Sequence, residues 1–209
     1  LAIALAFAVF RNIASADEAA HRDDFRRSLR IGNELEGKTA GVIGLGRIGS
    51  IVARKLKGIG MDVIAYDPYV VDARFQRLGV TRCATLEDLL RQADLITLHT
   101  PKTKETYNMI DAAQLAMCKR GVRIVNAARG GLVNEKALYD ALVSGQVAGA
   151  GIDVFDREPN YDAKPGEQNF HNILLNHPGC VVTPHLGAST HEANANVGSA
   201  VTEMVADAL

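Results

Sequence analysis

The sequence is poor in the residues that build stacking surfaces and covalent crosslinks. Its 209 residues contain no Trp and only 5% aromatic residues, and the three cysteines, Cys83, Cys118 and Cys180, form no CxxC pair. The scarcity of aromatics argues against a platform for stacking single-stranded bases. An odd number of widely spaced cysteines argues against a disulfide framework or a zinc site. We therefore expect no bound metal and a reducing, cytoplasmic location.

The sequence also lacks an excess of charge of either sign. Lys and Arg number 23 against 24 Asp and Glu, which gives a net charge of −1. Such a chain has no global field to attract nucleic acid or an anionic membrane. The opening apolar run, residues 1–10, is shorter than the roughly 20 residues that cross a bilayer. It could belong to a signal peptide, but no basic segment precedes it, so we favour a buried helix that continues to about Ala20.

The remaining composition, 47% hydrophobic and 22% charged, is that of an ordinary globular protein. Apolar, partly β-branched runs alternate along the chain with segments of helical spacing. The predicted strands are 39–43, 62–66, 94–98, 122–126, 147–153 and 180–183, and the predicted helices are 48–59, 86–93, 111–119, 135–144 and one from about 189. This alternation predicts an α/β fold, a Rossmann-type doubly wound parallel sheet. Ligands of such sheets bind at the carboxyl ends of the strands.

A glycine-rich loop follows the first predicted strand. Gly44, Gly46 and Gly49 form a GxGxxG that opens a helix, and Asp67 ends the next strand, near the expected separation of roughly 20 residues. These glycines allow a tight turn, a close approach of pyrophosphate and close helix packing. Asp67 would accept hydrogen bonds from ribose hydroxyls and repel a 2′-phosphate, so we expect NAD rather than NADP. The loop residues predicted to contact the cofactor also include Arg47 and Ile48.

Three later strand ends carry groups suited to acid–base and carboxylate chemistry. Arg129 follows one strand, Asp153 ends the next with Glu158 close behind, and His185 follows the last. Each of these residues alone is more often a surface charge, a helix cap or a structural histidine. Their joint presence beside a dinucleotide loop favours an active site.

These motifs resemble those of the D-isomer-specific 2-hydroxyacid dehydrogenases. The matching blocks lie between Gly37 and Val197 and are VIGLGRIG, HTPKTKETYNMI, NAARGGLVNEKAL, GIDVFDREP and TPHLGAST. The resemblance implies an NAD-dependent oxidoreductase acting on the CH–OH group of a D-2-hydroxy acid. The sequence departs from the family pattern in a longer stretch from Pro159 to Pro184, and at Lys102 and Lys104, where apolar residues or proline are more usual.

The resemblance also implies roles for individual residues. Arg129 would bind the substrate carboxylate, His185 would exchange a proton with the carbonyl oxygen, and Glu158 would orient and stabilise the imidazolium. Asp153 would accept a hydrogen bond from the nicotinamide. Further cofactor contacts are expected at Thr100, Pro101, Ala127 and Gly187, together with Arg129 and His185.

The chain divides, by these criteria, into a flanking helix and linker (1–36), an NAD-binding Rossmann domain (37–188) and a C-terminal flanking helix (189–209). In this family the substrate domain comes from segments before and after the nucleotide domain, so we expect it to be mostly absent from this chain. We also expect a homodimer or higher homo-oligomer, with the apolar opening segment buried against a second copy or against the rest of the fold.

The substrate is predicted less directly than the cofactor. The block Leu186–Thr190 after His185 resembles the biosynthetic members, which favours oxidation of 3-phosphoglycerate to 3-phosphohydroxypyruvate, a step of serine biosynthesis. The alternatives are another D-2-hydroxyacid dehydrogenase, such as a glyoxylate or hydroxypyruvate reductase, and an NAD-sensing module like the corepressors that keep the same Arg, Glu and His.

Overall fold

The computed structural model describes residues 1–164 and 166–195. Their core is a seven-stranded sheet in the order β3-β2-β1-β4-β5-β6-β7, in which every neighbouring pair is parallel. The strands are β1 Thr39–Ile43, β2 Asp62–Tyr66, β3 Thr81–Arg82, β4 Leu95–Leu98, β5 Val122–Asn126, β6 Val147–Ile152 and β7 Cys180–Val182. The predicted doubly wound parallel sheet is confirmed.

Helices cover both faces of this sheet. They are α1 Ala2–Arg11, α2 Ile13–His21, α3 Arg47–Gly58, α4 Asp72–Leu78, α5 Leu86–Gln92, α6 Ala112–Met117 and α7 Glu135–Val143, with 3-10 turns at Arg27–Arg30 and Ile173–Asn176. The strands are apolar on both sides because α1, α3 and α4 bury one face of the sheet and α5, α6 and α7 the other. Adjacent residues of β1 illustrate this, since Val42 packs in the first layer and Ile43 in the second.

Short polar side chains fix where several helices begin. Thr85 accepts a hydrogen bond from the Asp88 backbone at the start of α5, and Asn134 accepts one from Ala137 at the start of α7. Asp111 and Gln114 form a reciprocal capping box at α6. These caps satisfy N–H groups that have no partner inside the helix.

The opening segment differs from the single helix predicted for it. Asn12 adopts a left-handed conformation (φ 53°), ends α1, and donates a side-chain hydrogen bond to the Ile31 carbonyl 3.0 Å away. The segment is therefore two helices, because Asn tolerates this conformation and its amide gains a partner there. Most buried residues of this segment lie on α1, where Leu5 and Val9 pack against glycines of β6, whereas α2 buries only Ala19.

The C-terminal helix is described only in part. Residues 191–195 are helical, whereas the remainder of the predicted helix, 196–209, lies outside the described residues. Within the part of the chain that the structure describes, no helix combines the length and the apolar character needed to cross a membrane.

Candidate active site and dinucleotide groove

The carboxyl ends of the strands meet where the chain reverses direction across the sheet. β1 pairs with β2 on one side and with β4 on the other, so the chain winds outward both ways from the boundary between β1 and β4. Crevices form at such switch points because successive connections leave them in opposite directions. Here the crevice contains two cavities, of about 640 Å³ and about 280 Å³.

The three glycines of the loop differ in what a side chain would meet at each position. Gly44 has φ 87°, and a Cβ there would lie 2.7 Å from the His99 carbonyl oxygen. A Cβ on Gly49 would lie 1.9 Å from the Gly44 carbonyl oxygen, so α3 packs directly on the loop. Gly46 differs, because its Cβ position has no heavy atom within 4 Å. The space above Gly46, at the N-terminus of α3, is thus open to a phosphate group, with Arg47 beside it.

Asp67 is one of the residues that line the larger cavity. Its Oδ2 accepts a hydrogen bond from Leu45 N at 2.8 Å, and its Oδ1 accepts one from Tyr69 N at 2.9 Å. Gly44, Gly46 and Asp67 line the same cavity. A carboxylate has further lone pairs for hydroxyl donors, so the residues present fit the adenosine and pyrophosphate of a dinucleotide.

Other predicted groove residues line the wall between the two cavities. Thr100 and Pro101 border both, whereas Ile48, Ala127 and Arg129 border the smaller one. Ile48 is 62% exposed despite its apolar side chain. An exposed Ile facing a groove is available to the apolar faces of a ligand.

His185 and Glu158 form a direct pair. His185 Nδ1 lies 2.9 Å from Glu158 Oε2, and the two side chains are 38% and 29% exposed. His185 also has φ 56°, an unusual conformation for a residue other than Gly, Asn or Asp. Because Nδ1 faces the carboxylate, Nε2 is the nitrogen available to a substrate.

Asp153 explains how His185 is held in that conformation. Its carboxylate, fully buried, accepts hydrogen bonds from Thr183 Oγ1 at 2.5 Å, Leu186 N at 2.8 Å and Gly187 N at 2.9 Å. The His185 N–H donates to the Asp153 carbonyl at 2.9 Å. In the described residues Asp153 therefore organises the loop that carries His185, and its predicted contact with the nicotinamide stays a prediction.

Arg129 projects into solvent beside the smaller cavity. Its Nη1 donates to the Ala128 carbonyl at 2.6 Å, and Asn126 Nδ2 donates to the Arg129 carbonyl at 2.9 Å. A Cβ on the next residue, Gly130, would lie 1.7 Å from the Phe155 carbonyl oxygen. The loop carrying Arg129 thus packs backbone to backbone on the loop that leads to Glu158.

Lys102, a departure from the family pattern, has a defined partner. Its Nζ lies 2.5 Å from Asp156 Oδ1, and Tyr107 donates to the other oxygen of that carboxylate at 2.9 Å. These bonds hold the pKa of Asp156 below its usual value and raise the pKa of Lys102 and of the Tyr107 hydroxyl. Lys102 therefore ties the wall of the groove to the loop that leads to Glu158.

Two further residues of the site are not among the predicted site residues. His99 lines both cavities, and its ring Nε2 lies 2.9 Å from Thr97 Oγ1. Burial lowers the pKa of His99 to about 4, so it is neutral at pH 7. Tyr161, from the stretch that departs from the family, stands edge-on to His185 with ring centroids 6.2 Å apart. The place of His99 at a strand end predicts that, among the histidines other than His185, it is the one to contact the groove, whereas nothing in the local sequence indicates Tyr161.

The described residues contain no cluster of three or more His, Cys, Asp or Glu side chains arranged to hold a metal ion. All three cysteines are free thiols.

The fold and the glycine loop define a Rossmann-type dinucleotide-binding domain. Residues 3–187 match the family model described as "D-isomer specific 2-hydroxyacid dehydrogenase, NAD binding domain". The chain belongs to this family, and its cofactor is NAD.

Relatives and solved structures agree with this assignment. The chain is 49% identical over 208 residues to the D-3-phosphoglycerate dehydrogenase of Mycobacterium tuberculosis and 43% identical over 202 residues to that of Bacillus subtilis. The alignments cover 100% and 97% of this chain, and the chain spans 38% and 37% of the length of those relatives.

Among solved structures, the pyruvate reductase of Chlamydomonas reinhardtii superposes with a TM-score of 0.87 at 35% identity, covering 94% of this chain and 61% of that one. A D-lactate dehydrogenase with NAD⁺ from Lactobacillus jensenii gives 0.82 at 34% identity, covering 93% and 60%.

Proposed function

We propose that the full-length protein is an NAD-dependent dehydrogenase that interconverts a D-2-hydroxy acid and its 2-keto acid. The observation that carries the proposal is the His185–Glu158 pair, 2.9 Å between Nδ1 and Oε2, formed by residues that follow the carboxyl ends of β7 and β6 in the sheet whose switch point fits NAD. When bound, the nicotinamide supplies the acceptor or donor of a hydride. This chain's own residues would bind the acid and move the proton.

Each residue would have a separate task in that reaction. Protonated His185 would donate from Nε2 to the carbonyl oxygen during reduction and take the proton back during oxidation. Glu158 would stabilise the imidazolium and keep the ring oriented. Arg129, whose side chain is exposed beside the smaller cavity, would bind the substrate carboxylate with its planar guanidinium.

We propose 3-phosphoglycerate as the substrate oxidised and 3-phosphohydroxypyruvate as its product. The support is the identity of 43% to 49% to relatives named D-3-phosphoglycerate dehydrogenase, which extends along nearly the whole chain. The test follows NADH consumption by the full-length protein with phosphohydroxypyruvate, hydroxypyruvate, glyoxylate and pyruvate. Preference for phosphohydroxypyruvate is expected. Preference for glyoxylate or hydroxypyruvate would reassign the substrate, and no turnover with any of the four would favour an NAD-sensing module.

The acid–base assignment has its own test. His185→Ala should lower kcat of the full-length protein by about 10²–10⁴-fold, the usual contribution of a positioned proton donor. Glu158→Gln should move the pH profile of reduction to lower pH, because the imidazolium loses its counter-charge. His171→Ala and Glu167→Gln, which alter exposed residues outside the site, are the matched controls. An unchanged pH profile in Glu158→Gln would remove Glu158 from the mechanism.

We further propose a cytoplasmic homo-oligomer. Free thiols at Cys83, Cys118 and Cys180 fit a reducing compartment. Large apolar side chains after α1 remain exposed in this chain, among them Ile13 at 49%, Phe25 at 73% and Ile31 at 79%. Light scattering of the full-length protein should report a dimer or larger, and Phe25→Asp with Ile31→Asp should shift it toward monomer. A monodisperse monomer at high concentration would refute this.

A further inference from the structure

Tyr69 lies where two cavities adjoin. One is the larger cavity of the dinucleotide groove, whose lining includes Asp67 and Tyr69. The other, of about 450 Å³, is lined by Tyr69 and by residues at the start of and along α4, among them Arg74 and Arg77. Among the described residues, Tyr69 is the only one that lines both cavities. Its side chain therefore separates a cavity with an acidic wall from one with a basic wall.

Hydrogen bonds hold Tyr69 at both its backbone and its hydroxyl. The backbone N–H donates to Asp67 Oδ1 at 2.9 Å, and the hydroxyl donates to Glu105 Oε2 at 2.7 Å. Glu105 also lines the larger cavity. Hydrogen bonds to an ionised carboxylate are stronger than those between neutral groups. Because Tyr69 is 80% exposed, these bonds rather than burial determine where its ring lies.

The arginines of the second cavity have no acidic partner. Arg74 is half-buried and Arg77 is exposed. In the part of the chain that the structure describes, neither side chain forms an ion pair, and the buried Arg74 Nε has no hydrogen-bond partner. Asp72, the acidic residue that begins the same helix, pairs with Arg82 instead. The two guanidinium groups are therefore available to an anion, and their planar donors suit a phosphate.

We propose that Tyr69 is a specificity-determining residue of the cofactor groove, because it keeps Arg74 and Arg77 away from the 2′-phosphate of NADP. The carboxylate of Asp67 would repel that phosphate, and the Tyr69 side chain denies it the positive charge that would compensate. Discrimination between two ligands often relies on excluding the competitor as well as on contacts with the preferred one. Glu105 would act through Tyr69, as the residue that positions its ring. The inference concerns cofactor binding and does not depend on the substrate or on the His185–Glu158 pair.

Removing the Tyr69 side chain should join the two cavities. In Tyr69→Ala, the Kd of NADPH should fall by about tenfold, as expected for new hydrogen bonds to a charged group, whereas the Kd of NADH should change by about twofold or less. The exposure of Tyr69 means that this substitution should not unfold the protein. Tyr69→Phe keeps the ring and removes only the bond to Glu105, so NADPH should gain less, by about threefold.

The arginines can be tested separately from the tyrosine. In the Tyr69→Ala background, Arg74→Gln together with Arg77→Gln should cancel the gain in NADPH affinity. With Tyr69 in place, the same two substitutions should leave the ratio of NADPH to NADH affinity within about twofold. Such a cycle measures the coupling between the tyrosine and the arginines.

The experiment is fluorescence titration of the full-length protein and its variants with NADH and with NADPH. Arg54→Gln with Arg91→Gln is the matched control, since it removes the same charge at exposed positions that line neither cavity. Unchanged NADPH affinity in Tyr69→Ala, or a gain that survives the loss of both arginines, would overturn the inference. The proposed function is tested by turnover, so its failure would be seen in a different measurement.

Discussion

At the scale of single residues, we expect Asp67 to decide which dinucleotide this groove accepts. Asp67 is aimed by two backbone donors, Leu45 N and Tyr69 N, so its charge stays at the rim of the cavity. Asp67→Ala should weaken NADH binding and relieve the repulsion of a 2′-phosphate. The NADH to NADPH affinity ratio, measured by fluorescence titration, should fall by about tenfold or more, which corresponds to about 1.4 kcal/mol.

The control for this change lies at the opposite end of the strand that Asp67 follows. Asp62 begins β2 and is exposed, so Asp62→Ala should leave the ratio unchanged. Equal affinities for NADH and NADPH in the unmutated protein would contradict the role given to Asp67.

His99 makes stability depend on pH. Its folded-state pKa of about 4 lies below the usual 6.5, so the unfolded chain binds more protons between these values. The free energy of unfolding is therefore at its full value above about pH 6.5. It decreases as pH falls toward 4, because the unfolded chain takes up a proton at His99 that the folded chain does not. Between pH 7 and 5 the loss is about 2 kcal/mol.

Urea unfolding at both pH values measures this loss. His99→Gln should remove about that amount from the pH dependence of the free energy of unfolding, whereas His21→Gln, at an exposed position, should not. The same pH dependence in His99→Gln and in the unmutated protein would rule the explanation out.

At the scale of single residues, the sequence predicted those site residues that belong to motifs. Gly46 and Asp67 follow from loop spacing, and Glu158 and His185 from their places after strand ends. The pairing of Glu158 with His185 was implied by the family resemblance, and the structure shows it. Tyr161 could not be predicted, because its proximity to His185 depends on the path of a stretch without a repeating pattern. The structural role of Asp153 could not be predicted either, because the sequence does not show which donors surround a carboxylate at a strand end.

At the scale of elements, we expect two glycines of the strand–turn–helix unit β1–α3 to differ in role: Gly46 in cofactor binding and Gly49 in stability. A Cβ at Gly46 meets no protein atom within 4 Å, but it would enter the space offered to a phosphate. A Cβ at Gly49 would meet the Gly44 carbonyl at 1.9 Å and push α3 off the loop. Gly46→Ala should therefore keep the stability of the fold and lose NADH affinity, by about tenfold.

Gly49→Ala should behave differently, because overpacking forces the backbone to shift at a cost of about 1–3 kcal/mol. Thermal unfolding and NADH titration together test the pair, and Gly58→Ala, at the far end of the same helix with open space around it, is the control. Loss of stability in Gly46→Ala equal to that in Gly49→Ala would contradict the division of roles.

Elements with a strong apolar pattern were predictable and weakly patterned ones were not. β1, β2 and β5 have the predicted bounds because buried apolar residues make up most of each strand. β3 has only two residues, both exposed, and was missed, as was α4, which buries only Phe75. The break at Asn12 was missed because a left-handed residue held by a distant carbonyl leaves no mark on local periodicity.

At the scale of the whole molecule, we expect this chain to bind NADH without catalysing turnover of a keto acid. The glycine loop, Asp67 and the walls of the groove all lie within these 209 residues, so this chain should bind NADH. Calorimetry with NADH measures that binding directly. Absence of binding would mean that the groove requires other parts of the full-length protein to form.

Turnover should not accompany that binding in the 209-residue chain. Hydride transfer requires the carbonyl carbon held against the nicotinamide, and such positioning can contribute about 7–11 kcal/mol to lowering the barrier. Here Arg129 is exposed and His185 is 38% exposed, so water reaches both residues that we propose to bind the substrate. Solvent reduces the attraction between Arg129 and a carboxylate toward about 1 kcal/mol. An absorbance assay with a keto acid should therefore show no NADH consumption, and robust turnover would mean that the substrate is held by residues other than those named here.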